Sequence, residues 1–234
     1  MNMTNYLPFY SRGAAGAPFW ASDPSCVFAL GLNKDGPTFR SDDMYGHLCT
    51  KYGALWTPLG YSVDGVDDYI DLGRPPSLAI LTNSATLVCW QRPVCDSTWR
   101  WTIGMKDDWN INRFTMGIST TNVLCTQIAD SALHWFDCRG KPMVANAWAH
   151  NAFVINRFTK RAISYTNGVP FSIGNDISTL GSIELIRNVS LAWTSRAGST
   201  DFWKGSFALP KIFNRALSPL EIRTIYESEK SLFL

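Results

Sequence analysis

Residues 161–168 read RAISYTNG, and this octapeptide decides the fold class. Side chains on a strand alternate between faces, so Ile163 and Tyr165 share one surface while Ala162, Ser164 and Thr166 share the other. Asn167-Gly168 then supplies the two left-handed positions of a type I′ turn, the strongest short-range hairpin signal. The same pattern recurs outward along the chain. VFALGLN at 27–33, TLVCWQR at 86–92, RWTIGM at 100–105, NRFTMGIS at 112–119 and NVLCTQIA at 122–129 are each short and rich in β-branched and aromatic residues. ALHWFD at 132–137, SIELIRN at 182–188 and FWKGSFALPKIF at 202–213 extend the set. About a dozen strands without intervening helices predict an antiparallel β-sandwich or barrel.

Composition agrees. The chain has 234 residues, of which 46% are hydrophobic and 17% charged, too apolar for a disordered protein. Its 15 Asp outnumber its 4 Glu, and three of those, Glu221, Glu227 and Glu229, fall in the last fourteen residues. Glu is a good helix former, so its scarcity elsewhere argues for strands and turns. A formal net charge of +2 provides no one-sided field for nucleic acid. No run of about 20 apolar residues exists, so no membrane-spanning helix is expected. Six cysteines, Cys26, Cys49, Cys89, Cys95, Cys125 and Cys138, lack zinc-site spacing and are expected to be free thiols, Cys89 as a small buried hydrophobe.

Two segments stand apart from the strands. One helix is specified at the end, in ALSPLEIRTIYESEK: Ser218 suits the N-cap, Pro219 the first turn, and Glu221 closes a capping box. Leu217 and Ile222 form a candidate hydrophobic staple, and Ile222, Ile225 and Tyr226 make the stripe that packs on the sandwich. At the other end, residues 1–25 form an arm in which Pro8, Gly13, Gly16, Pro18 and Pro24 break any periodicity. Flexible termini are usually polar, yet this one carries Tyr6, Leu7, Phe9, Tyr10, Phe19 and Trp20. Such an arm packs either on its own domain, residues 26–234, or on a neighbouring subunit. It does not read as a secretory signal, because no basic segment precedes an apolar stretch.

Several phrases, in order, resemble the concanavalin A-like lectin/glucanase superfamily and its laminin-G-like, pentraxin-like branch. DGVDDYID at 64–71 is similar to that branch's early strand, and TLVCWQRP at 86–93 to its first core strand. Trp148-Ala149-His150 resembles its W-x-H strand, and SYTNGVP at 164–170 its hairpin. KIFNRALSPLEIRTIYE at 211–227, preceded by Gly205, resembles the closing strand, turn and helix. The resemblance covers roughly residues 26–229 and implies a concanavalin A-like jelly roll. It implies no single function, since this fold hosts lectins, glycosidases, adhesion modules and structural parts. After Gly205 the chain continues Ser-Phe-Ala-Leu-Pro, where relatives often carry acids that help hold calcium.

Catalysis is not expected. A retaining glycosidase needs two carboxyl groups about 5 Å apart, and Glu184, the only Glu outside the terminal helix, has no acid beside it. His47, His134 and His150 are scattered outside any catalytic motif. Asp64, Asp67 and Asp68 are the candidate metal ligands, of the oxygen type that calcium takes. The alternative is that Asp64-Gly65 makes a turn and the acids face solvent. For carbohydrate, Trp109 is the candidate stacking ring, flanked by Asp107, Asp108, Asn110 and Asn112 in a segment without strand periodicity; the alternative is a loop anchor that plugs the edge of the sandwich. Two functions remain open. The first is a non-catalytic structural or decoration component of a larger assembly such as a virus or phage particle, exposed on its surface and docked to other subunits through the arm. The second is a lectin-like module that binds glycans through its loops.

Overall fold

A computed structural model describes residues 19–106, 111–194 and 201–234. Strands follow one another along the chain as β1 (Cys26–Ala29), β2 (Thr38–Arg40), β3 (Leu48–Tyr52), β4 (Leu55–Thr57), β5 (Gly60–Asp64) and β6 (Tyr69–Asp71). Then come β7 (Ala85–Pro93), β8 (Arg100–Lys106), β9 (Arg113–Ile118), β10 (Val123–Ala129), β11 (Trp135–Pro142) and β12 (Ala149–Asn156). The chain closes with β13 (Arg161–Thr166), β14 (Val169–Pro170), β15 (Asn175–Asp176), β16 (Ser190–Leu191), β17 (Lys204–Phe213) and the helix α1 (Pro219–Glu229). The first sheet runs β14-β13-β12-β7-β17-β5-β4, with β1 on β17 and β15 on β13; the second runs β11-β10-β9-β8-β16-β6-β3-β2. All these strand pairs are antiparallel.

Two inner faces make the core. Leu87, Cys89, Phe153, Ile155 and Phe207 come from the first sheet, and Ile70, Ile103, Phe114, Met116 and Leu191 from the second. The octapeptide at 161–168 divides as its alternation requires. Ala162 enters the core between the sheets, whereas Tyr165 is buried on the opposite face, under α1. Asn167 and Gly168 have φ of 52° and 74°, as a type I′ turn demands.

The helix seals the outer face of the first sheet. Ser218 accepts from Glu221 N, and the Glu221 carboxylate accepts from Ser218 N at 2.7 Å, so the capping box forms. Ile222 and Ile225 pack on Val88, Ala152, Val154 and Leu217. At the far end of the helix Glu229 and Lys211 are both 1% exposed and meet at 2.7 Å. Trp90 Nε1 donates to Glu229 at 2.9 Å, and Lys211 Nζ donates to Leu209 O at 2.9 Å. Lys211 also lies 5.3 Å from the Trp20 ring centroid, within cation–π range. Beside them His150 is wholly buried, with no hydrogen-bond partner on either ring nitrogen among the described residues. Burial, reinforced by the Lys211 charge, pushes its pKa down to about 3.

Trp20 takes the first of the two alternatives left open for the arm. It sits in a single helical turn, Phe19–Ser22, and is buried against the sandwich of its own chain, so it is not offered to a neighbouring subunit. The reason is local: Lys211 lies within reach of its ring, and Arg215 ties the following residues down through Asp23 at 2.7 Å and Ser25 at 2.7 Å. Contacts with the sandwich therefore begin before Cys26. Tyr6, Leu7, Phe9 and Tyr10 lie outside the described residues, as does the side chain of Phe19.

Departures elsewhere have equally local causes. SIELIRN at 182–188 is not a strand: only Ile183 bridges, to Leu81, while Glu184, Ile186 and Arg187 are exposed. The strand comes after it, as β16. ALHWFD starts its strand three residues late because Leu133, with φ of 69°, belongs to the turn. Within β17 the register shifts between Ala208 and Lys211, where Leu209 has φ of 47° and Pro210 brings no N–H. All six cysteines are free, and burial pushes the Cys89 thiol up to about 12.

Candidate functional site

The outer face of the second sheet differs from that of the first. Strand pairing aligns Asp71, Ser190, Gly104, Thr115, Gln127 and Asp137 in one row across β6, β16, β8, β9, β10 and β11. The alternate residues Ile70, Leu191, Ile103, Phe114, Ile128 and Phe136 face the core, so the row faces outward. Gly104 is required where it stands: its φ is 140°, and a Cβ there would lie 2.1 Å from Phe114 O. On either side of it Ser190 and Thr115 are buried, and neither hydroxyl has a hydrogen-bond partner among the described residues. Buried polar groups are nearly always paired, which makes two such hydroxyls in one row informative.

A cleft of about 400 Å³ opens at the β6–β16 end of that row, lined by Tyr69, Asp71, Arg74, Arg187, Ser190 and Trp193 among others. Two distant segments build it. Residues 69–74 and 186–193 are joined by the β6–β16 pairing and by Leu72 N donating to Val189 O at 2.9 Å and Val189 N to Gly73 O at 2.8 Å. Asp71 is engaged on both oxygens: Oδ1 accepts from Gly73 N and Oδ2 from Asn188 Nδ2, each at 2.8 Å. Arg74 reaches across to donate to Ile186 O at 2.9 Å. Aromatic rings continue the wall. Tyr52 stacks on Tyr69 at 4.5 Å, Tyr69 meets Trp193 at 5.0 Å, and Trp193 lies parallel to Phe202 at 5.3 Å. Burial raises the Tyr69 phenol pKa, which keeps it a neutral donor. Trp193 Nε1 is a further buried donor without a partner among the described residues.

A second cleft, of about 320 Å³, is lined by Asp64, Arg92, Asn146 and Lys204. It offers no ring, and Arg92 Nε already donates to Asn146 O at 2.8 Å.

The residues singled out from sequence fare differently. Trp109, Asp107, Asp108 and Asn110 lie outside the described residues. Asn112 is corrected: it is 5% exposed, and its Oδ1 accepts from Glu184 N at 2.9 Å, so it holds a loop rather than facing a ligand. Asp64, Asp67 and Asp68 do come together, with carboxylate oxygens within 4.8 Å of one another. They also brace their own turn, since Asp64 Oδ1 accepts from Val66 N at 2.8 Å and Asp68 Oδ2 from Asp64 N at 2.9 Å. Burial, then the charges of Asp64 and Asp67, raise the Asp68 pKa. Three carboxylates are oxygen donors of the type calcium takes, although calcium wants six to eight. Lys204, paired with Asp64 across β5 and β17, puts a cation beside them.

No acid pair is set for hydrolysis on the outer row. Asp71 and Asp137 stand five strands apart, roughly 24 Å at about 4.8 Å per strand, against the roughly 5–9.5 Å of glycosidase pairs. Glu184 is exposed and accepts from Ser182 Oγ at 2.6 Å. The histidines are engaged or sealed: His47 Nε2 contacts Val27 O at 2.9 Å, His134 Nδ1 contacts Asp130 at 2.8 Å, and His150 is buried.

Sequence reasoning missed the cleft. Tyr69 and Asp71 lay inside the DGVDDYID phrase, and Ser190 inside a tripeptide that resembles a glycosylation sequon. Their signal was the alternation of Tyr69 and Asp71 around Ile70, which sets an aromatic and an acid on one face. Nothing local pointed to Arg187 or Trp193.

Comparison with known proteins bears on the fold and family. The family model described as the concanavalin A-like lectin/glucanases superfamily matches residues 64–223. The binding domain of Paraclostridial mosquitocidal protein 1 superposes with a TM-score of 0.65 at 16% identity, covering 87% of this chain and 52% of its own. The botulinum neurotoxin serotype D ligand-binding domain, solved with N-acetylneuraminic acid, gives 0.69 at 14% identity, covering 88% and 51%. A Trypanosoma rangeli sialidase gives 0.65 at 15% identity, covering 96% and 35%. The chain thus spans about half or a third of these structures, and at such identities the likeness concerns the fold. No curated protein sequence matches the chain.

Proposed function

The chain belongs to the concanavalin A-like lectin/glucanase superfamily, and from that premise we propose that it is a non-catalytic carbohydrate-binding module whose site is the Tyr69–Trp193 cleft. One observation carries this reading: a wall of aromatic rings stands beside a polar cleft in which buried Ser190 Oγ and Trp193 Nε1 have no partner among the described residues. Sugars need this combination, a ring face to stack on and hydrogen-bonding groups fixed in advance. The wide separation of Asp71 and Asp137 supports binding without hydrolysis. The test is a glycan array followed by calorimetry on the hits. Trp193→Ala is expected to weaken binding by at least about 10-fold, in line with the loss of an aromatic anchor. Array hits whose affinity Trp193→Ala and Tyr69→Ala leave unchanged place the site elsewhere.

A structural part in a larger assembly, such as a virion surface, is the second reading. Exposed apolar side chains favour it: Leu48 on β3, Leu55 and Trp56 on β4, and Leu59 in the next turn. Aspartate at Leu55 and Leu59 is expected to abolish co-purification with assembly partners on this reading, and to leave glycan binding intact.

A further inference from the structure

The balance of charges and donors in the cleft between β6 and β16 bears on the kind of sugar it takes, a step that rests on the carbohydrate reading of that same site. We propose that the saccharide is anionic, a sugar whose carboxylate or sulfate sits against Arg74, Arg187, Ser190 and Trp193. Among the described residues, two guanidiniums, that of Arg187 already engaged in an interaction of its own, line the cleft against one carboxylate, Asp71. Asp71 already accepts on both oxygens, from Gly73 N and Asn188 Nδ2, so the main acceptor is engaged by the fold.

What remains is rich in donors. Trp193 Nε1 only donates, the Ser190 hydroxyl can donate, and Arg74 uses Nη1 on Ile186 O out of a fork of five N–H donors. Sugar hydroxyls donate as well as accept, and their protons find few acceptors here. A carboxylate or sulfate accepts only, and charge-assisted bonds to it are shorter and about twice as strong as neutral ones. The pyranose ring then has Tyr69 and Trp193 to lie on, 5.0 Å apart. Ser190 is 1% exposed, and its hydroxyl has no partner among the described residues, a costly arrangement unless a ligand group completes it.

Calorimetry on matched pairs tests this: 3′-sialyllactose against lactose, tri-galacturonate against its methyl ester, and 6-sulfo-N-acetyllactosamine against N-acetyllactosamine. At least one charged member is expected to bind about 10-fold or more tightly than its neutral partner, the scale of one charge-assisted bond. Whether the carboxylates or the sulfate win tells which source of anionic oxygen the cleft selects. The double variant Arg74→Gln/Arg187→Gln, at two exposed positions, is expected to erase that difference. Ser190→Ala is expected to weaken the charged member several-fold without lowering the melting temperature. Equal affinity within every pair, or a preference that survives the double variant, overturns anion selection and leaves the carbohydrate reading standing. Absence of binding by all six probes overturns both.

Discussion

The two sheets have opposite outer faces. On the first, α1 and the Trp20 turn cover the strands, and a buried ion pair between Lys211 and Glu229 is closed by Trp90 and Leu209. On the second, Ser190 and Thr115 are buried with hydroxyls that find no partner among the described residues, and an open cleft adjoins Ser190. Both faces hold polar groups at low exposure, but the ion pair of the first is satisfied within the described chain and the hydroxyl row of the second is not. His150 on the first face is unpaired too, but it is sealed beneath Trp90 and Tyr226, whereas the Ser190 hydroxyl stands beside an open cleft; an unpaired polar group bears on a ligand only where a cleft reaches it.

Substitutions can break or sharpen that contrast. Glu229→Ala leaves Lys211 charged and buried, and urea denaturation is expected to show a loss of about 3–5 kcal/mol. The double variant Lys211→Met/Glu229→Leu should recover most of it, because replacing a buried pair by apolar groups is often neutral. Next in size is an acid effect on the same face. His150 titrates at about 3 when folded against an ordinary 6.5, so its contribution is fully present above pH 6.5. It is lost as pH falls from 6.5 toward 3, since the unfolded chain takes up the proton first. Melting temperatures should drop over that window, and His150→Phe should flatten the drop. Ser218→Ala removes the capping hydroxyl of α1 and is expected to cost about 1 kcal/mol. Smallest is Thr115→Val on the other face, where an unpaired hydroxyl becomes a methyl. Its stability should change by less than about 0.5 kcal/mol or rise; a loss like that of Glu229→Ala would show that both faces are built alike.

How much could be read in advance divides by the range of the interaction. Hairpins, strands and the terminal helix were legible because period-two alternation, Asn167-Gly168 and Ser218-Pro219 act over a few residues. The segment at 182–188 misled because its apolar alternation satisfies a strand pattern, while its neighbours give it only one bridge, at Ile183. Asn112 misled for the opposite reason. It is polar and lies in a loop, yet it takes φ of 39° and turns inward to a backbone N–H 72 residues away. Trp20 has the residue type of a hook for another subunit, and side chains far along the chain, Lys211 and Phe213 among them, hold its ring on the home domain.

The cleft was illegible for a further reason. Its two halves are separated by more than a hundred residues, as the Arg74 to Ile186 and Asn188 to Asp71 bonds show at separations of 112 and 117. No local pattern reports that separation, and whether the Ser190 hydroxyl has a partner depends on everything around it.

By itself, then, the sequence determined the class of the protein: an antiparallel sandwich with one capped helix. Those properties follow from local periodicity, capping and composition, which each residue carries wherever the chain goes. Only the tertiary structure decided which polar groups were satisfied, that Trp20 docks on its own domain, and where Tyr69, Arg74, Ser190 and Trp193 meet. Pairing and burial are properties of neighbours brought from far along the chain, and neighbours exist only once β6 and β16 have paired.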